Sequence, residues 1–86
     1  MDRFKNKNIV IDTSTTWIYI GELVKEDNNY YYLQNVDAFD ISETSLSKQE
    51  YLMMVKRDGI VPNRKNVKVL KSKVVAITLL EDILEK

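Results

Sequence analysis

The side chains able to do chemistry in this chain are carboxylates, lysines, arginines, hydroxyls and side-chain amides, because its 86 residues include no histidine and no cysteine. That removes the imidazole and thiolate on which most nucleophilic, acid–base and soft-metal sites rely. Asp37 and Asp40 come nearest to a catalytic carboxylate pair, yet nothing beside them in sequence builds a convergent pocket. The two glycines, Gly21 and Gly59, are isolated, so no glycine-rich loop can cradle a phosphate. A non-catalytic protein without cofactor or metal is expected. Binding chemistry remains. The stretch GELVKEDNNYYYL, residues 21–33, gathers an acidic tip, two asparagines and the run Tyr30, Tyr31, Tyr32.

Charge is segregated although the net charge is zero. Residues 56–73 carry seven cations against Asp58 alone, a net +6, and residues 22–50 carry seven acids against Lys25 and Lys48, a net −5. Such a basic segment suits a polyanion, an acidic face of a second subunit, or plain solvation. Arg57, Arg64 and Lys65 are candidates for phosphate or for pairing with Asp37, Asp40 and Glu43. Strand alternation sends one or two of the three tyrosines inward, as core and cross-strand packing, and leaves the others for solvent or for stacking on a base. Asp27 is expected to anchor its own turn by accepting backbone N–H groups.

The elements that must position these groups follow from local pattern. NIVID (8–12) and TTWIYIGELV (15–24) are rich in β-branched and aromatic residues and read as strands. Gly21 inside the second marks a sharp bend or a close backbone approach. The tip Glu26-Asp27-Asn28-Asn29 permits a tight turn into a third strand, YYYLQNV (30–36), and short connections make the three an antiparallel meander. Ser47-Lys48-Gln49-Glu50 is a capping box, and Tyr51, Leu52, Met54 and Val55 follow at helical spacing. Gly59 ends that helix. Met53 and Met54 read as packing of the helix on the sheet. Strands VKVLK (67–71) and VVAITLL (74–80) join across Ser72-Lys73, and EDILEK is one helical turn or a frayed end. The expected fold is mostly β: a small five-stranded, strongly bent antiparallel barrel with one helix inserted between the third and fourth strands. A single domain spans 1–86, with 37–66 as the helical insertion. No apolar run approaches the ~20 residues of a membrane span, MDRFKNKN lacks the apolar core of a secretion signal, and a cytoplasmic location is the default.

In strand order and spacing the chain resembles the Sm-like (LSm) family, over residues 8–36 and 67–80. The family's first motif has a glycine, an apolar residue two positions on and an aspartate six on, which here are Gly21, Leu23 and Asp27. Leu33 stands where the bacterial branch, that of the host-factor RNA chaperone, has a further apolar residue. Lys71 and Ser72 occupy the second-motif turn of that branch, in a short final hairpin. The resemblance implies a homo-oligomeric ring in which the fourth strand of one subunit pairs with the fifth of the next. It also implies binding of single-stranded U-rich or A-rich RNA, with Asn28 and Asn29 facing the base while Lys71 and Ser72 complete the pocket. Asparagine offers both donor and acceptor to a uridine edge, and lysine offers a donor or a counter-charge to phosphate. Four departures bear on this. Asn29 replaces a stacking aromatic, Ser72 replaces a histidine, the segment from Asp37 to Asn66 stands where the bacterial branch has only a few residues, and the family's amphipathic N-terminal helix is missing. The inserted helix allows a second expectation: an Sm-like barrel serving protein–protein assembly without RNA.

Overall fold

The computed structural model describes residues 3–85. The first two residues of MDRFKNKN and the last of EDILEK lie outside the described part. Five strands form one antiparallel sheet: β1 (Asn8–Thr13), β2 (Trp17–Glu26), β3 (Tyr30–Asp40), β4 (Arg64–Leu70) and β5 (Val74–Leu79), in the order β4-β3-β2-β1-β5. One helix, α1 (Lys48–Asp58), stands between β3 and β4. Single 3-10 turns occupy Ile41–Glu43, Lys71–Lys73 and Leu80–Asp82.

The topology forces the sheet to curl. β4 and β5 are the two edges, yet only Lys71–Lys73 separates them. Four residue steps reach at most ~14 Å, whereas four flat inter-strand spacings would need about 19 Å. The interior of the curl is an apolar cluster fed by every strand, with Ile9 and Ile11 from β1, Leu23 from β2, Leu33 and Val36 from β3, Val69 from β4 and Leu79 from β5. The expected meander of β1, β2 and β3 is present. The expected final hairpin is not. β4 pairs with β3 and β5 with β1, and among the described residues no ladder joins β4 to β5.

The β2–β3 ladder carries a bulge at Gly21. Ile20 faces Asp37 and Glu22 faces Gln34, so Gly21 meets both Asn35 and Val36. Asn35 takes the left-handed φ of 52° that such an extra residue needs. A Cβ on Gly21 would lie 2.9 Å from Val36 Cγ2 and 3.1 Å from the Gln34 carbonyl oxygen, which explains the glycine as a close approach.

The outer face of the sheet carries a second core. Leu52 and Val55 of α1 pack with Val10, Ile18 and Ile20, and Leu80 and Ile83 close the cluster. This is why NIVID is apolar without alternation: Ile9 and Ile11 point into the curl and Val10 points to the helix. The capping box forms as expected, Ser47 Oγ accepting from Glu50 N–H and Glu50 accepting from Ser47 N–H. Gly59 ends the helix at φ 92°. Met53 packs against this outer cluster. Gln49 and Lys56 donate to the carbonyls of Leu84 and Ile83, so the tail beyond its 3-10 turn is held by the helix.

The insertion is shorter than the expected 37–66. Residues 37–40 continue β3 and 64–66 begin β4. Asn63 explains the far boundary: its side chain donates to the Ala38 carbonyl at 2.9 Å and accepts from Ala38 N–H at 3.0 Å, while its own N–H reaches the Val36 carbonyl. The side chain imitates one more residue pair and guides the chain onto β3.

Candidate ligand-binding site

The turn between β2 and β3 is organised by Asp27. One carboxylate oxygen accepts from the N–H groups of Asn29 (2.9 Å) and Tyr30 (2.8 Å), and the other accepts from the Tyr32 hydroxyl at 2.6 Å. The Tyr32 hydroxyl above all, then the two amides, lowers the Asp27 pKa to about 2, and the same bond raises that of Tyr32. The expected anchoring role is what the structure has. Asn28 and Asn29 are exposed at the apex of this turn.

The turn between β4 and β5 comes to meet it. Lys71 donates its backbone N–H to the Asn29 carbonyl at 2.8 Å, which joins two turns more than forty residues apart in sequence. Asn29 and Lys71 are thus brought together. Asn28 and Ser72 sit in the same two turns, both exposed, and among the described residues no backbone hydrogen bond joins them. The Lys71 ammonium is turned toward its own fold: it hydrogen-bonds the Glu26 carboxylate and lies 4.9 Å from the centre of the Tyr31 ring. This bond is the largest cause of the raised lysine pKa and of the lowered glutamate pKa. Glu26 went unnoticed as the partner of Lys71, since only its place in an acidic tip marked it.

Alternation sorts the tyrosines. Tyr31 packs against the inner cluster, while Tyr30 and Tyr32 face outward with ring centroids 6.2 Å apart. Trp17 and Tyr19 stack on each other, and Tyr19 reaches the inner cluster. The remaining candidates are dispersed. Asp37 is buried and accepts from the Tyr51 hydroxyl at 2.7 Å, and Asp40 caps the 3-10 turn through Ser42, so the two carboxylates serve separate structural bonds. Burial, followed by Asp37, pushes the Tyr51 phenol up to about 12. Arg57 forks onto Asp58 and Arg64 donates to a backbone carbonyl, and among the described residues neither pairs with Asp37, Asp40 or Glu43. Among the described residues no three of His, Cys, Asp and Glu are placed to hold a metal ion, and no helix is long and apolar enough to cross a membrane.

Fold and site define a small, mostly β domain: one curled five-stranded antiparallel sheet, one helix on its outer face, and two turns joined at one end. No protein-family model matches the chain, and no curated protein matches it.

Proposed function

We propose that the chain is an Sm-like barrel subunit that assembles edge to edge and binds single-stranded RNA without catalysis. The observation that carries this reading is the convergence of the two turns that would hold the Sm motifs, through the Lys71–Asn29 backbone bond. It sets the polar apex at Asn28 and Asn29 beside the turn carrying Lys71 and Ser72. Assembly is supported by the two open edges. Among the described residues β4 and β5 each pair on one side only, and each carries an exposed apolar side chain, Leu70 (38% exposed) and Val75 (67%). Pairing β4 of one subunit with β5 of the next would bury both and satisfy the unpaired backbone groups. In the free protein Glu26 neutralises Lys71, so an incoming phosphate must compete for the ammonium. Binding at this site should therefore be modest and strongly salt-dependent.

The test joins light scattering with anisotropy titration of labelled oligouridine and oligoadenine at two salt concentrations. The reading expects a species heavier than the monomer and salt-dependent binding weakened in Lys71→Ala. A monomer at all concentrations removes the ring, and binding unchanged in Lys71→Ala removes the site. The second reading, an assembly barrel that does not bind RNA, is favoured by one observation: the Lys71 ammonium is already engaged by Glu26. Self-association without any oligonucleotide binding would establish it.

A further inference from the structure

A different surface carries an additional binding chemistry. At the tip end of β2, β3 and β4 the outward face presents Tyr30 and Tyr32, alternate residues of one strand. Tyr32 lies in register between Lys25 of β2 and Lys68 of β4. Lys25 Nζ rests 4.6 Å from the centre of the Tyr32 ring, and Lys68 Nζ 4.5 Å from that of Tyr30. Among the described residues neither lysine is in an ion pair. Neither ring belongs to an apolar cluster, because α1 covers the outer face over Val10, Ile18 and Ile20 instead. A shallow groove of about 430 Å³ lies elsewhere, against α1 and Pro62. The one on this face, about 410 Å³, is lined in part by Lys25, Tyr32, Asn66 and Lys68.

We infer that this face is a platform for a single-stranded polynucleotide, with Tyr30 and Tyr32 stacking successive bases and Lys25 and Lys68 meeting the flanking phosphates. Two flat rings, each under a lysine that is in no ion pair among the described residues, match a ligand that repeats a flat aromatic group and an anion. An acidic peptide repeats only the anion. An exposed ammonium on a tyrosine is held more weakly than a stacked base, so each lysine can leave its ring as a base arrives and turn to the backbone. Stacking on tyrosine reads neither base edge nor 2′-hydroxyl, so the platform accepts RNA and DNA alike. The inference stands on side chains other than Asn28, Asn29, Lys71 and Ser72 and needs no ring, although the Tyr32 hydroxyl also donates to the Asp27 that orders the turn.

The experiment titrates labelled oligouridine and oligodeoxythymidine into the wild type and into Tyr30→Leu, Lys68→Gln and Lys71→Ala, with circular dichroism confirming each fold. Poly-glutamate serves as a competitor. Tyr30→Leu is expected to weaken both probes by about tenfold. Lys68→Gln, an exposed change that leaves the rings in place, is expected to lower the salt slope by about one phosphate contact. Photo-crosslinked oligouridine should attach to the peptide holding Tyr30 and Tyr32. Unchanged binding in a folded Tyr30→Leu protein, or in Lys68→Gln if Tyr30→Leu does not fold, overturns the platform. So does complete displacement by poly-glutamate at equal charge, which would make the face an acidic-peptide surface. If only Lys71→Ala loses binding, the turn site stands and the platform falls. If only Tyr30→Leu and Lys68→Gln lose it, the platform stands and the turn site falls.

Discussion

At the scale of single residues, Asp27 is the most constrained group of the candidate site, and its constraint is testable by pH. Three hydrogen bonds reach its charged form, which is why its pKa falls to about 2. A carboxyl depressed on folding adds stability that is present above its unfolded pKa, near 3.9, and lost as pH falls through the folded value. The ordered turn should therefore persist at pH 4 and be lost toward pH 2. Amide chemical shifts of Asn29 and Tyr30 are expected to titrate with a midpoint near 2, and a midpoint near 4 would contradict the bonding described. In Asp27→Asn this acid transition should be absent. Since the same turn presents Asn28 and Asn29 and accepts the Lys71 N–H, its acid loss would loosen the whole candidate site.

At the scale of elements, two local devices support the fold, and each can be removed by a single substitution. Gly21→Ala places a methyl against Val36 Cγ2 and the Gln34 carbonyl oxygen, and the backbone oxygen cannot rotate away. The expected cost is about 1–3 kcal/mol, as for other overpacked sites, read from the midpoint of urea unfolding. A cost near zero would mean that the bulge opens freely. For α1 the device is the capping box. Ser47→Ala removes the acceptor for Glu50 N–H and should destabilise by about 1 kcal/mol with the urea m-value unchanged. Because α1 supplies the outer core over β1 and β2, this loss reaches the sheet and is not confined to a surface helix.

At the scale of the whole molecule, the proposed assembly rests on the two sheet edges. A long open edge with exposed apolar side chains invites pairing with another chain, and a lysine on such an edge opposes it. Val75→Lys, at a residue 67% exposed in the single chain, is expected to shift light-scattering mass toward the monomer while thermal unfolding of the subunit stays near that of the wild type. An unchanged larger mass would place the contact elsewhere than β5. This outcome bears on the ring and not on the Tyr30–Tyr32 face, so assembly and platform can be judged separately.

Much of the architecture was legible from local pattern alone. The strands, the turn at Asp27, the capping box at Ser47 and the stop at Gly59 all depend on residues within a few positions of one another, whose propensities and side-chain bonds act before any tertiary contact forms. Asp27 could be named as an anchor because its partners, Asn29, Tyr30 and Tyr32, are its neighbours. Other features needed the fold. Asn35 takes a left-handed angle because Gly21 lies across from it, and Asn63 extends β3 because residues 59–63 return to Ala38. The joining of Asn29 to Lys71 and of Lys71 to Glu26 spans the inserted helix, and no periodicity encodes a pairing across that distance. Alternation indicated that the tyrosines divide between two faces, but not which faced inward, since a bulge resets the parity of a strand and its position is set by the partner strand. The sequence by itself determined which elements exist and which groups are available to bind. Only the tertiary structure decided which edges stay open, which cations are already held and which rings face solvent, because those depend on contacts between distant strands.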